Sequence, residues 1–293
     1  MVKLPLEVIE KCQNIKLIFF DIDGTLLNTH GHWSDTLAAQ LLRLNKQGIK
    51  LAIASGRPSF AAQFIFDALP IVDAGLFCTG AQLYDPRVNT SLELHCLLVE
   101  RVQLLYQRAQ TLNIYTEFYT QTAYFVPEFT DITAVHAKHL RVKPSIVSPH
   151  ELLATTPKLT KLLLGNNETI APGKLDLLAS QFPDMEFAFA NFLACPGWRF
   201  ASVISRDASK HTAFASLLNY HNVNASEVAA FGDSHSDETF IELAGLGVAM
   251  GNGSEALKQK ADYITESVDN HGVEEVIRYM GMTTESPTNS VDL

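Results

Sequence analysis

Two aspartates separated by one residue, Asp21 and Asp23, follow the short apolar run at 15–20 and precede Gly24-Thr25-Leu26. At the strand period of two, their carboxylates point to one side while Ile22 points into a core. Gly24 permits the sharp turn that follows. Two carboxylates this close repel each other and are tolerated only beside a cation or when one of them holds a proton. Both conditions suit phosphoryl transfer. Mg²⁺ takes oxygen ligands, one carboxylate can attack phosphorus, and the other can protonate a leaving alcohol. A calcium loop would instead need a glutamate at its twelfth position, where this chain has His32, and a helical flank. An acidic turn without chemistry is the other alternative for this motif alone.

Three further polar clusters stand at, or just beyond, expected strand ends or helix starts, the edge of an open parallel sheet where ligands bind. In Ser55-Gly56-Arg57, a hydroxyl and backbone N–H groups at a helix start suit a phosphate, although Ser-Gly is also an ordinary turn. Lys210 opens an expected helix, and taken alone it is no more than a surface lysine. In Gly232-Asp233-Ser234-His235-Ser236-Asp237, the two aspartates are four residues apart, about one helical turn. Asp233 can then hold a metal with Asp237 supporting it, a helix cap being the plainer reading of Asp233.

In this order the clusters resemble the four motifs of the haloacid dehalogenase-like superfamily, specifically its Cof-type phosphatases. The similarity continues through residues 245–252, Ala261-Asp262 and Gly272-Val273. The resemblance implies that Asp21 forms an aspartyl-phosphate, and that Asp23 is the general acid and then the base for the hydrolytic water. It implies that Ser55, Gly56 and Lys210 hold the phosphoryl group. It also implies that Asp21, the Asp23 backbone carbonyl and Asp233 bind Mg²⁺, with Asp237 close behind. Three positions depart from the family pattern. Ser236 stands where the family has a phosphate-touching Asn, so its own phosphate contact is expected to be weaker or to pass through water. His211 follows the lysine in place of Gly, and Thr79-Gly80-Ala81 replaces Asn-Gly-Ala.

The elements that must position these residues read as an α/β protein. Strands are expected at 15–20, 49–54, 75–78, 228–231, 247–250 and 262–265. Helices are expected at 34–47, 58–67, 209–220 and 236–243, with helical turns at 255–260 and 273–279. Strands alternating with helices indicate a Rossmann-like parallel sheet with helices on both faces. The stretch between the second and third motifs has a different grammar. It carries helices at 97–112, 130–139 and 172–182 among strands at 114–118, 123–126, 159–164, 186–190 and 200–204. The expected organisation is a discontinuous core, 1–82 and 201–293, interrupted by an inserted α+β cap domain at 83–200. Trp33 and His32 could line the entrance, and Trp198 and Phe192 could stack on a substrate ring, although ordinary packing is the plainer reading. The Ser/Thr/Asn-rich tail at 283–293 reads as disordered.

The chain of 293 residues is 47% hydrophobic, enough for a sizeable core, and carries a net charge of −10. That balance repels nucleic acid and anionic membrane, so neither is expected as a partner. A small phosphorylated substrate must then be drawn in by a local cation. No run is long enough to span a membrane, residues 1–16 lack a signal-peptide core, and the four cysteines form no C-x-x-C pair. A cytoplasmic protein is expected. The reading is a Mg²⁺-dependent phosphatase of small phosphomonoesters, sugar phosphates above all. Its rivals are a phosphomannomutase-like transferase and a non-catalytic binder of a phosphorylated metabolite.

Overall fold

A computed structural model describes residues 4–155, 157–192 and 194–281; the tail at 283–293 lies outside the described residues. The chain forms two compact units. One comprises Met1–Ala52, Leu69–Ile71 and His221–Leu293, and the other comprises Ile53–Ala68 and Val72–Tyr220.

The first unit is built on a parallel ladder. The strand Leu17–Phe20 pairs with Val228–Gly232, that strand pairs with Leu246–Ala249, and the last pairs with Tyr263–Ile264. Every residue of the first three strands is buried, as expected when helices cover both faces. Each of the large side chains Leu17, Ile18, Phe19 and Phe20 adds roughly 1.5–3 kcal/mol by leaving water. The helix Asp35–Lys46 starts where Ser34 accepts the Leu37 N–H at 2.9 Å, and it buries Leu37, Leu41 and Leu44. Phe20 pairs with Phe231 in the ladder, and the Asp21 N–H still donates to the Phe231 carbonyl at 3.0 Å. The first and fourth motifs therefore leave adjacent parallel strands at the same edge.

The second unit holds an antiparallel run, Asp73–Phe77, Gln82–Asp85 and Thr90–Leu94, and a six-stranded sheet. The six strands lie in the order Met185–Ala190, Trp198–Ser205, Lys161–Asn167, Tyr115–Tyr119, Tyr124–Val126, Ser145–Ile146. The strand period of two divides its apolar residues. Leu162 and Leu164 join Val102, Leu105, Leu175 and Leu178 from the helices Val99–Thr111 and Lys174–Gln181. Leu163 joins Tyr119, Tyr124, Phe200 and Leu140 in a separate cluster.

The α/β class and most elements match the sequence reading. The helix Leu6–Gln13 and the hairpin Gln82–Asp85 with Thr90–Leu94 are additional to the elements expected from the sequence. The segments after Pro58 and Ser234 begin as 3₁₀ turns before becoming the short helices Gln63–Ala68 and Glu238–Leu243. Among the described residues no helix is long and apolar enough to cross a membrane.

Candidate active site

In the first unit the turn after Phe20 is set by Gly24, at φ +81. A Cβ there would lie 2.2 Å from Asp233 Oδ2, so only glycine lets the first motif approach the fourth this closely. The Leu26 and Leu27 N–H groups donate to the Ile22 carbonyl at 3.1 and 2.8 Å, closing the turn, and Ile22 is buried.

Asp21, Asp233 and Asp237 then converge, each offering an oxygen, with all of these atoms within 4.8 Å of one another. Asp21 is only 7% exposed. Burial, and then the charges of Asp237, Asp233 and Asp23, push its carboxyl well above the ordinary range. The same forces, burial first and then Asp237 and Asp23, push Asp233 up to about 7. Carboxylates this close, with Asp21 and Asp237 buried, call for a cation, and hard oxygen donors of this kind fit a divalent metal. Asp23 is half-buried and near enough to raise both neighbours.

Asp237 is fixed from several sides. Its Oδ2 accepts the N–H groups of Asp233 at 3.1 Å and Ser234 at 2.9 Å, and the Ser234 hydroxyl at 3.0 Å. Ser236 Oγ donates to Asp237 Oδ1 at 3.0 Å and lies 2.9 Å from Ser234 Oγ. Gly232 makes this possible, because a Cβ there would lie 2.4 Å from Asp237 Cβ. His235 faces solvent and meets Glu238 at 2.6 Å, which fits a loop residue.

Sequence reasoning did not give Asn252 a role in the site. Its Nδ2 donates to the Gly24 carbonyl at 2.9 Å and to Asp233 Oδ2 at 3.3 Å, while its Oδ1 accepts the Val268 N–H at 2.8 Å. It ties three loops together and opposes the rise of the Asp233 pKa. The signal was its place in Met250-Gly251-Asn252, just past a buried strand.

The other predicted residues lie in the second unit, around a turn at Cys78–Gly80. The Thr79 N–H donates to the Ser55 carbonyl at 3.4 Å, and the Cys78 N–H to the Arg57 carbonyl at 2.9 Å. Gly56 faces the Thr79 hydroxyl, and a Cβ on Gly80 would lie 3.6 Å from Lys210 Cγ. The turn thus gathers Ser55, Gly56 and Lys210, the last at the first turn of the helix Lys210–His221. Cys78 and Thr79 both adopt positive φ, 50° and 59°, without being glycine. Phe192 and Trp198, considered as ring-stacking residues, stack instead on Phe200 at 4.6 and 6.1 Å.

The model of the haloacid dehalogenase-like hydrolases matches residues 18–277. The chain belongs to that family. Within the family it is 26% identical to the phosphatase YwpJ of Bacillus subtilis over 91% of this chain and all of that protein. It is also 26% identical to the 5-amino-6-(5-phospho-D-ribitylamino)uracil phosphatase YcsE of Bacillus subtilis, over 91% and 96%. Among solved structures, a haloacid dehalogenase-like hydrolase from Bacteroides thetaiotaomicron superposes with a TM-score of 0.77. It is 26% identical and is matched over 90% of this chain and 98% of that one. The Asp21–Asp233–Asp237 cluster therefore lies in a hydrolase of this family, on two adjacent strand ends.

Proposed function

We propose that this hydrolase is a Mg²⁺-dependent phosphatase acting on small cytoplasmic phosphomonoesters, sugar phosphates above all, through an aspartyl-phosphate on Asp21. The observation that carries the reading is the convergence of Asp21, Asp233 and Asp237 beside Asp23. Asp21 supplies the attacking oxygen. As its bond to phosphorus forms, the bond to the leaving oxygen breaks, and Asp23 gives that oxygen a proton. Asp23 then takes a proton from water as the water oxygen attacks the same phosphorus. This releases inorganic phosphate and frees Asp21. Ser55, the N–H groups around Gly56, and Lys210 hold the phosphoryl oxygens. Ser236 contacts the phosphate more weakly than the family's Asn or through water, and its hydroxyl also donates to Asp237 at 3.0 Å. Asp21, the Asp23 carbonyl and Asp233 would hold the cation, which would neutralise the carboxylates and the phosphoryl charge. Asp237 and Asn252 keep Asp233 in place. Residues 1–82 and 201–293 form the catalytic core in this reading, and 83–200 form a cap that excludes water and selects the leaving group.

The test is phosphate release from a panel of sugar phosphates, nucleotides and cofactor phosphates, with Mg²⁺ or EDTA, beside Asp21→Asn. Release that needs both Mg²⁺ and Asp21 is expected. Isomerised sugar phosphate without phosphate release would replace the hydrolase reading with that of a mutase.

A further inference from the structure

Lys161 opens the strand Lys161–Asn167 and is 4% exposed, an uncommon place for an ammonium group. Its Nζ donates to the Gly56 carbonyl at 3.2 Å and sits 4.5 Å from the centre of the Tyr119 ring. Tyr119 is its cross-strand partner in the sheet, so the ring beneath the ammonium is fixed by the ladder. Among the described residues, the carbonyl and the ring are the partners of this ammonium. Burial lowers its pKa, and Cys78 and Glu117 oppose that effect while Arg57 adds to it.

The carbonyl that Lys161 holds belongs to the same peptide unit as the Arg57 N–H. That N–H donates to Ser55 Oγ at 3.3 Å. A peptide unit is planar and trans, so fixing its oxygen also fixes the direction of its N–H. Because Ser55 Oγ accepts from Arg57, its own proton is left to donate, and among the described residues it has no acceptor. We propose that Lys161 is a positioning residue which, through the Gly56–Arg57 peptide, aims the Ser55 hydroxyl at a phosphoryl oxygen of the substrate. The inference rests on the phosphate-holding role given to Ser55 above. A charge-assisted bond in a water-poor setting is well suited to the task, because it resists rotation of the peptide plane.

The test compares Lys161→Met, Lys161→Arg, Ser55→Ala and the Lys161→Met/Ser55→Ala double variant, measuring kcat, KM and competitive inhibition by inorganic phosphate. Methionine keeps the length of the buried stem, and thermal melting confirms folding; Lys161→Gln, which keeps a neutral donor, replaces it if needed. Lys161→Met and Ser55→Ala are each expected to weaken phosphate inhibition and lower kcat/KM by about ten- to a hundredfold. The double variant is expected to be no worse than Ser55→Ala, and Lys161→Arg to recover part of the loss. Additive losses in the double variant overturn the proposal, as does weakened phosphate binding in Ser55→Ala but not in Lys161→Met. No loss in either single variant overturns it together with the phosphate role of Ser55, while the Asp21 dependence of turnover stands or falls separately.

Discussion

Asp233 shows how the site balances charge. Without a cation its carboxyl is held at about 7, above the ordinary 3.8, by burial and by Asp237 and Asp23. Between those values the folded chain keeps a proton that the unfolded chain has released, so the stability of the cation-free protein falls as pH rises across the window. A divalent cation binds the ionised form and offsets that loss. The rise in melting temperature on adding Mg²⁺ is expected to be larger at about pH 8 than at about pH 5, and an equal rise would contradict the account. Gly24→Ala is expected to abolish both this Mg²⁺ shift and turnover, because its Cβ would lie 2.2 Å from Asp233 Oδ2 on a left-handed backbone. Thr79 points the other way. A β-branched residue at φ 59° is strained, and asparagine tolerates that conformation. Thr79→Asn is expected to raise stability by about 1 kcal/mol in urea titrations.

Between elements, the strand Tyr115–Tyr119 and the helix Asp131–Leu140 are joined by a buried polar network. His136 Nδ1 lies 2.9 and 2.8 Å from the two oxygens of Glu117, and the hydroxyls of Tyr115 and Tyr119 donate to the same carboxylate. Burial alone would raise the Glu117 pKa, but His136 and the two tyrosines bring it below the ordinary value. The stability this group contributes is present above its unfolded pKa and is lost as pH falls through the folded one. Glu117→Gln is expected to lower stability at neutral pH by about 3 kcal/mol and to flatten the acid side of the stability profile. The strands that carry the first and fourth motifs were legible in sequence because they announce themselves locally, as short apolar runs that end before Asp21 and before Gly232-Asp233. The helix Leu6–Gln13 was hidden by its interleaved Glu and Lys, and the hairpin at Gln82–Asp85 by its buried polar ends. Asn252 and Lys161 were unreadable as site residues because their partners lie far along the chain, at Gly24, Asp233 and Gly56.

For the whole chain, a net charge of −10 sets the problem that the site must solve. Both a substrate phosphate and the proposed Asp21 nucleophile are anionic, so the proposed catalysis depends on placing a few positive charges locally rather than on the average field. The first motif and its family resemblance make the expected chemistry legible, since the proposed nucleophile, acid and metal ligands fall within short sequence spans. Substrate choice is not written in such spans. In the proposed reaction the phosphoryl group passes through Asp21. Asp23→Asn should form the intermediate from acetyl phosphate, whose leaving group needs no acid, and then fail to hydrolyse it. Mass spectrometry of acid-quenched peptides from that variant, with Mg²⁺ present, is expected to find phosphate on Asp21. Phosphate on another residue, or none on any peptide while an Asp21→Asn variant still turns over substrate, would contradict the account.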